Sequence, residues 1–376
     1  MSGEGRVFLG EAQRGSFSTN KDGQRIRVLG GGLVGKLVVA QLHELGHSVT
    51  LVDIDSKALQ WATEIGVETL PQSALQTSSL DTSQADIWVN LLPGELGDKV
   101  RLPLLERGAR IIDLAFTLSD PRQYDNLAKQ CGATMLFDVG VAPGLSNLWV
   151  AKALELLRQN GEAAQSIEIK VGGIPQQSDS NWSYMAPFSP SDVIAEYERP
   201  ARIRIDGINC QEEALSRRHI VDDEAGELEA FLTDGLRSLL DLDCPNMLEY
   251  TLRWPNHIDR FIQLRDSGAL SPLRRKETLE ELYQHWKFDP SRPEMTLLTV
   301  LVRGENSDWR ARLYDAGESG WSSMARTTGL VTVAAVEAMV AGTIPLGVHA
   351  PEQVWQELLP LAENHLANAG VFLSSG

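Results

Sequence analysis

The chain has 376 residues, 43% hydrophobic and 23% charged, enough for about two globular domains and too apolar for extended disorder. Its 51 acidic residues against 34 basic ones leave a net charge of −17, which argues against nucleic acid or an anionic membrane as a partner. Three scattered cysteines, Cys131, Cys210 and Cys244, exclude a disulfide framework and a CxxC metal site and fit a reducing cytoplasm.

Residues 1–24 are polar, rich in Gly and Ser, and lack the apolar run of a signal peptide, so they read as an extension. A β-run at Arg25–Leu29 then ends in Gly30-Gly31-Gly32-Leu33-Val34-Gly35, and a helical pattern through Leu37, Val38, Gln41, Leu42 and Leu45 stops at Gly46. Ser48–Asp53 is a β-branched run that ends in an acid. Further strands are expected near 67–70, 86–92, 110–114 and Thr134–Phe137, with helices between, for example at 97–107 and 121–131. Such alternation implies a parallel sheet covered by helices on both faces.

In the pattern Gly30-x-Gly32-x-x-Gly35 the first glycine permits the tight turn and the second lets a pyrophosphate approach the backbone. The third lets helix and strand pack closely, and the helix N-terminus meets the phosphates. Leu33 and Val34 open that helix, and Asp53 ends the next strand where an acid bonds the adenosine ribose hydroxyls. That acid favours NAD, with NADP possible because Lys57 lies close by in sequence. Leu91-Leu92-Pro93 follows another strand and is expected against the cofactor ribose; Asp113 ends a further strand on the nicotinamide side.

After Phe137 the alternation stops. Asp138-Val-Gly-Val-Ala-Pro143-Gly144 leads into a helix at 145–157, which places a rigid loop beside the carboxyl ends of the strands. Strand-like runs follow at 166–171, Ala201–Ile205, 249–254 and 295–303 and suggest an antiparallel sheet. A helix over 273–286 is expected with Ser271 as N-cap and Pro272 at its first position; Arg274-Arg275-Lys276 on it reads as a solvated face. The apolar stretch 330–346 is broken by Glu337 and Pro345 and reads as a buried helix rather than a membrane span. That helix, at 327–341, is expected to return to the first domain. The fold class is therefore α/β: a Rossmann doubly wound parallel sheet over 25–144, an α+β substrate domain with a mainly antiparallel sheet over 145–325, and returning helices over 326–376.

These motifs resemble the saccharopine dehydrogenase-like oxidoreductases, most closely the lysine 6-dehydrogenase-like branch. The resemblance rests on Gly30–Gly35, Asp53, Asp138–Gly144, Val171-Gly-Gly-Ile-Pro175, Leu228-Glu-Ala-Phe231 and Thr251-Leu-Arg-Trp-Pro-Asn-His257. Arg326-Thr-Thr-Gly329 and Gly347-Val-His-Ala-Pro-Glu352 complete the set, in order from about residue 25 to 355. Ala142 stands where saccharopine reductases and carboxynorspermidine synthases usually carry an acid. The resemblance implies NAD(P)-dependent oxidation of a primary or secondary amine on an amino acid or polyamine, in a homodimer. A reductive condensing enzyme and a non-catalytic nucleotide-binding regulator are the alternatives.

Oxidising an amine needs a group to take the ammonium proton and a cation to hold the substrate carboxylate. His257, with an ordinary pKa near neutrality, is the first candidate for acid/base work, and Arg253 for the bidentate clamp. Tyr184 could bond substrate or relay a proton, and Asp138 could orient the Pro-Gly loop or receive the ammonium. His43 and His47 read as surface residues. No His/Cys/Asp cluster has metal-ligand spacing, so no metal is expected.

Overall fold

A computed structural model describes residues 23–76, 80–318 and 320–376; residues 1–22 of the expected extension lie outside the described residues. The first half builds β1 (Arg25–Leu29), α1 (Leu33–Glu44), β2 (Ser48–Asp53), α2 (Ser56–Glu64) and β3 (Glu68–Pro71). It continues with β4 (Ile87–Asn90), α3 (Gly94–Leu105), β5 (Arg110–Asp113), α4 (Asp125–Cys131) and β6 (Thr134–Phe137). All pairings are parallel, in the order β6-β5-β4-β1-β2-β3. Every residue of β4 and β6 is buried, as strands with helices on both faces require. The order reverses between β1 and β4, and a crevice opens at the carboxyl ends of those strands.

The chain then forms α5 (Leu145–Gln159), β7 (Ser166–Pro175), α6 (Pro190–Glu198), β8 (Ala201–Ile205), β9 (Ile208–Glu212), β10 (His219–Asp223), β11 (Gly226–Leu232) and β12 (Met247–Arg253). Next come α7 (His257–Asp266), α8 (Arg275–His285), β13 (Glu294–Arg303), β14 (Asp308–Asp315) and α9 (Ser323–Val340). The last elements are β15 (Gly347–His349), α10 (Trp355–Asn368) and β16 (Phe372–Ser375). The second sheet runs β10-β11-β12-β7-β13-β14-β16, with β8 on β12 and β9 on β8. Only β12 with β7 is parallel among these pairs, so the sheet is mixed but mainly antiparallel.

Strand β12 shows how this sheet is sided. Tyr250 and Leu252 are buried in an apolar cluster with Leu228 and Met295, with Leu248 packed against it. The pleat sends Glu249, Thr251 and Arg253 to the opposite face, toward the crevice.

The C-terminal segment stitches the two sheets together. Nearly all of α9 is buried, and a Cβ built on Gly329 would lie 2.7 Å from Leu37 Cδ2, so α9 lies almost against α1. Strand β15 pairs in parallel with β6 as the seventh strand of the first sheet. The sequence reading returns 326–376 to the first domain as helices. The segment also supplies β15, and β16 goes instead to the second sheet, antiparallel to β14.

One predicted helix start shifts. Ser271 and Pro272 form a turn, with the Arg274 and Arg275 amides donating to the Ser271 carbonyl at 3.0 and 2.8 Å, and α8 starts only at Arg275. Arg275 pairs with Glu198 at 2.6 Å. Among the described residues no helix is long and apolar enough to cross a membrane.

Candidate functional site: a cavity between the two sheets

A cavity of about 720 Å³ runs from the glycine turn and Asp53, past Leu91, Leu92 and Pro93, to Glu196, Thr251 and Arg253 on the second sheet. The glycines divide the work at its first end. Gly30 has φ +102°, and Gly35 packs so close that a Cβ there would lie 2.2 Å from the Gly30 carbonyl oxygen. A Cβ on Gly32 would meet nothing within 4 Å, which leaves the start of α1 open to a phosphate. Leu33 and Val34 line the same end. Asp53 Oδ2 accepts from the Gly31 amide at 2.6 Å, and its other oxygen from the Asp55 amide at 2.8 Å. The carboxylate thus fixes the turn and stands at the cavity wall. These residues fit a dinucleotide: open space over a helix N-terminus, and an acid on the cavity wall at the end of the next strand.

At mid-cavity the loop 140–143 forms the wall. Gly144, at φ +134°, is packed behind it, where a Cβ would sit 1.9 Å from the Gly140 carbonyl oxygen. Gly144 supports the loop while Pro143 faces the cavity. Asp138 also reaches the cavity, but its carboxylate is held bidentately by buried Arg237, at 2.8 and 3.2 Å. Both residues have positive φ, 57° and 53°, so the ion pair clamps two uncommon backbone conformations across the domain junction. Arg199 and Arg237 both stack on the Phe116 ring, at 4.2 and 4.3 Å. Asp138 is a positioning group here, not a free base.

The far end is charged. Arg253 is buried, donates from Nε to the Tyr197 hydroxyl at 2.7 Å and from Nη1 to the Leu252 carbonyl at 2.9 Å, and lies 4.6 Å over the Tyr184 ring. No carboxylate among the described residues stands within ion-pair distance of it. A guanidinium keeps its charge when buried, so a cation without a contacting carboxylate lines the cavity, with the Glu196 carboxylate favouring its charge from beyond contact distance. Arg199, by contrast, is paired with Asp234 at 3.2 Å, which also takes Arg202 at 2.8 Å. Asp192, Glu196 and Glu249 add carboxyl groups to the wall. Burial pushes Glu249 up to about 8.

Several expected site residues lie elsewhere. His257 is buried at the start of α7 and does not line the cavity; Nε2 faces the Tyr197 hydroxyl at 3.0 Å and Nδ1 the Trp182 carbonyl at 2.9 Å. Burial, helped by Arg253, lowers it to about 3, so it is a neutral core imidazole and cannot take the ammonium proton. Tyr184 is likewise buried behind Arg253 and off the cavity, with its phenol pushed up to about 12 by burial; it supports the guanidinium and does not reach substrate space. Asp113, expected on the nicotinamide side, does not line the cavity. Both its oxygens are engaged by buried Arg101, at 2.7 and 3.2 Å, and by Asn90 and the Ala115 amide. Among the described residues no group of His, Cys, Asp or Glu could hold a metal ion.

The sequence reading missed Glu249, Thr251, Glu196 and Arg237. For the first two the signal was present: 248–253 alternates Leu-Glu-Tyr-Thr-Leu-Arg, so any face carrying Arg253 carries Thr251 and Glu249 too.

The sheet order and the glycine cradle define a Rossmann-class protein whose second domain closes one end of a dinucleotide-sized cleft. The family model for the saccharopine dehydrogenase C-terminal domain matches residues 140–366, and the TrkA-N domain model matches residues 26–88. The chain belongs to the saccharopine dehydrogenase family. It is 22% identical over 191 residues to a saccharopine dehydrogenase [NADP(+), L-glutamate-forming] of Pyricularia oryzae, covering 48% of this chain and 42% of that one. The enzyme of the same name from Schizosaccharomyces pombe is 23% identical over 159 residues, 40% of this chain and 35% of its own length. The match thus spans less than half of either relative. The solved apo saccharopine dehydrogenase (L-Glu forming) of Saccharomyces cerevisiae shares the fold, with a TM-score of 0.77 at 17% identity over 94% of this chain and 99% of that one.

Proposed function

We propose that this protein is an NAD(P)-dependent oxidoreductase acting on the amine of an amino acid, in the manner of a lysine 6-dehydrogenase. The observation that carries the reading is the charge layout of one continuous cavity. A dinucleotide cradle at one end leads to a buried guanidinium with no carboxylate in contact with it, and to the carboxyl groups of Asp192, Glu196 and Glu249, at the other.

The dinucleotide, when bound, supplies the hydride acceptor. The chain's own residues do the rest. Arg253 holds one substrate carboxylate by its planar fork. Asp192 and Glu196 attract the substrate ammonium, and Leu91, Leu92 and Leu114 keep water from the reacting end. Asp53 disfavours a 2′-phosphate and so favours NAD over NADP. Substrates with two or three carboxylates, such as saccharopine, would need further free cations. Arg199 and Arg237 are already committed to Asp234 and Asp138, which supports a diamino monocarboxylic acid.

The condensing alternative keeps one support, the names of the relatives. Reduction of NAD⁺ and NADP⁺ by the purified protein, with L-lysine, L-ornithine, saccharopine and carboxylated polyamines, separates the readings. Turnover of a free diamino acid with ammonia release is the expected result. Turnover of secondary amines alone would move the assignment to the condensing enzymes. Binding of NADH without turnover would favour a regulator, and no binding of either reduced nucleotide would sink the whole proposal.

A further inference from the structure

Four oxygens form a short chain across the far end of the cavity. Thr233 Oγ1 donates to Glu249 Oε2 at 2.6 Å, Thr233 Oγ1 and Thr251 Oγ1 are 2.8 Å apart, and Thr251 Oγ1 donates to Glu196 Oε1 at 2.7 Å. The elements hold it rigidly. Glu249 and Thr251 share one face of β12, Thr233 follows β11, and Glu196 lies on α6. Gly235 also donates its amide to Glu249 Oε2 at 3.1 Å, and a Cβ at Gly235 would lie 2.5 Å from the carboxyl carbon, so only glycine fits beside that carboxyl.

The hydrogens do not add up if both carboxylates are ionised. Three O···O contacts need three hydrogens, and the two hydroxyls supply two. If each threonine donates to its neighbouring carboxylate, the two hydroxyl oxygens face one another at 2.8 Å with nothing between them. One further proton repairs this. Placed on Glu249 it makes Glu249 donate to Thr233, Thr233 to Thr251, and Thr251 to an ionised Glu196. Placed on Glu196 it reverses all three bonds. Shifting each of the three bridging protons along its own hydrogen bond interconverts the arrangements.

We propose that Glu196 and Glu249 share a single proton through Thr251 and Thr233, and that this chain is where the substrate ammonium leaves its proton. The second half of that statement rests on the amine oxidoreductase reading; the first does not. In the oxidative direction the substrate ammonium gives up one proton and no electrons. The chain first gives its shared proton to solvent, leaving both carboxylates ionised. The N–H bond of the substrate ammonium then breaks and an O–H bond forms at Glu196 Oε1. Three protons shift in line, from Glu196 to Thr251, from Thr251 to Thr233 and from Thr233 to Glu249 Oε2, so that each hydroxyl gains one proton as it loses another. The charged groups around that carboxyl are Glu196 on α6, Asp234 after β11, and Arg253 and Arg199 lining the same cavity. Burial favours its neutral form, with Glu196 and Asp234 adding to the effect. Glu249 stores the proton; Glu196 is the group that faces substrate.

Infrared spectroscopy of the apoprotein tests the shared proton without turnover. The expected result is a protonated-carboxyl C=O band that titrates in the mildly alkaline range, disappears in Glu249→Gln, and shifts in the near-isosteric Thr251→Val. In the enzyme assay, Thr251→Val and Glu249→Gln are both expected to lower kcat about 100-fold above the inflection with KM little changed, and to lose the inflection itself. Absence of the band in the unaltered protein, its survival in Glu249→Gln, or a Thr251→Val variant with unchanged kcat and inflection would overturn the proposal. A band that behaves as expected in a protein that oxidises no amine would keep the shared proton and remove the amine reading.

Discussion

Gly32 and Gly35 stand three residues apart in one turn, yet the structure gives their alanine variants opposite consequences. At Gly35 a methyl group would sit 2.2 Å from the Gly30 carbonyl oxygen and 3.1 Å from its carbon, both backbone atoms that cannot rotate away. Overpacking of that kind costs about 1–3 kcal/mol, and the fold must open between β1 and α1 to relieve it. At Gly32 the methyl meets nothing within 4 Å, and φ is −67°, which alanine adopts freely. The loss of a good N-cap, a few tenths to about 1 kcal/mol, is roughly offset by the reduced freedom of the unfolded chain. Gly32→Ala should therefore unfold within a degree or so of the unaltered protein. Its methyl, however, occupies the space kept for phosphate. Losing one or two hydrogen bonds to a charged group there costs about 1.5–3 kcal/mol, or roughly ten- to a hundredfold in NADH affinity. Thermal unfolding and an NADH fluorescence titration on the two variants decide it. If Gly32→Ala binds NADH normally, or if both variants lose stability equally, the assignment of the open space to a pyrophosphate is wrong.

Three other changes probe the rest of the cavity. Arg253→Lys keeps the charge but loses the fork, and should raise KM for the amino acid roughly ten- to a hundredfold while leaving NADH affinity unchanged; a parallel loss of both would mean that the site had simply collapsed. Asp53→Ser removes the charge opposed to a 2′-phosphate and should shift the NADP⁺/NAD⁺ preference about tenfold toward NADP⁺, and an unmoved ratio would place the ribose elsewhere. His257 titrates near 6.5 when unfolded but at about 3 in the fold, so the unfolded chain binds the extra proton between those values and acidification favours unfolding. His257→Gln should remove up to about 1.4 kcal/mol per pH unit of that slope in acid denaturation and leave any alkaline kinetic inflection in place; an inflection lost with His257 would restore it as the acid/base group.

The first sheet was legible because its signals are local. Glycine spacing, β-branched runs and strand-ending acids each report on their own few residues. What the sequence left hidden depends on partners far along the chain. Asp53 and Asp113 both end a strand, but Asp113 is consumed by Arg101 and Asp53 is not. Asp138 looks available until Arg237, 99 residues later, folds onto it. His257 was attractive for its solution pKa, yet its environment is an aromatic cluster of Trp182, Tyr184, Tyr197 and Trp286 drawn from three separate stretches. Periodicity carried more than was taken from it, since the alternation that marks β12 also puts Glu249 and Thr251 beside Arg253.

The path of the last fifty residues has a consequence for how the chain is made. Helix α9 covers α1, β15 completes one sheet, and β16 then closes the edge of the other. During synthesis the apolar face of α1, with Leu37 and Val38, must wait uncovered for some three hundred residues until α9 leaves the ribosome. Both sheets receive their last strand from the same late segment, so a nascent chain of this design is a natural client for a chaperone that masks exposed helices.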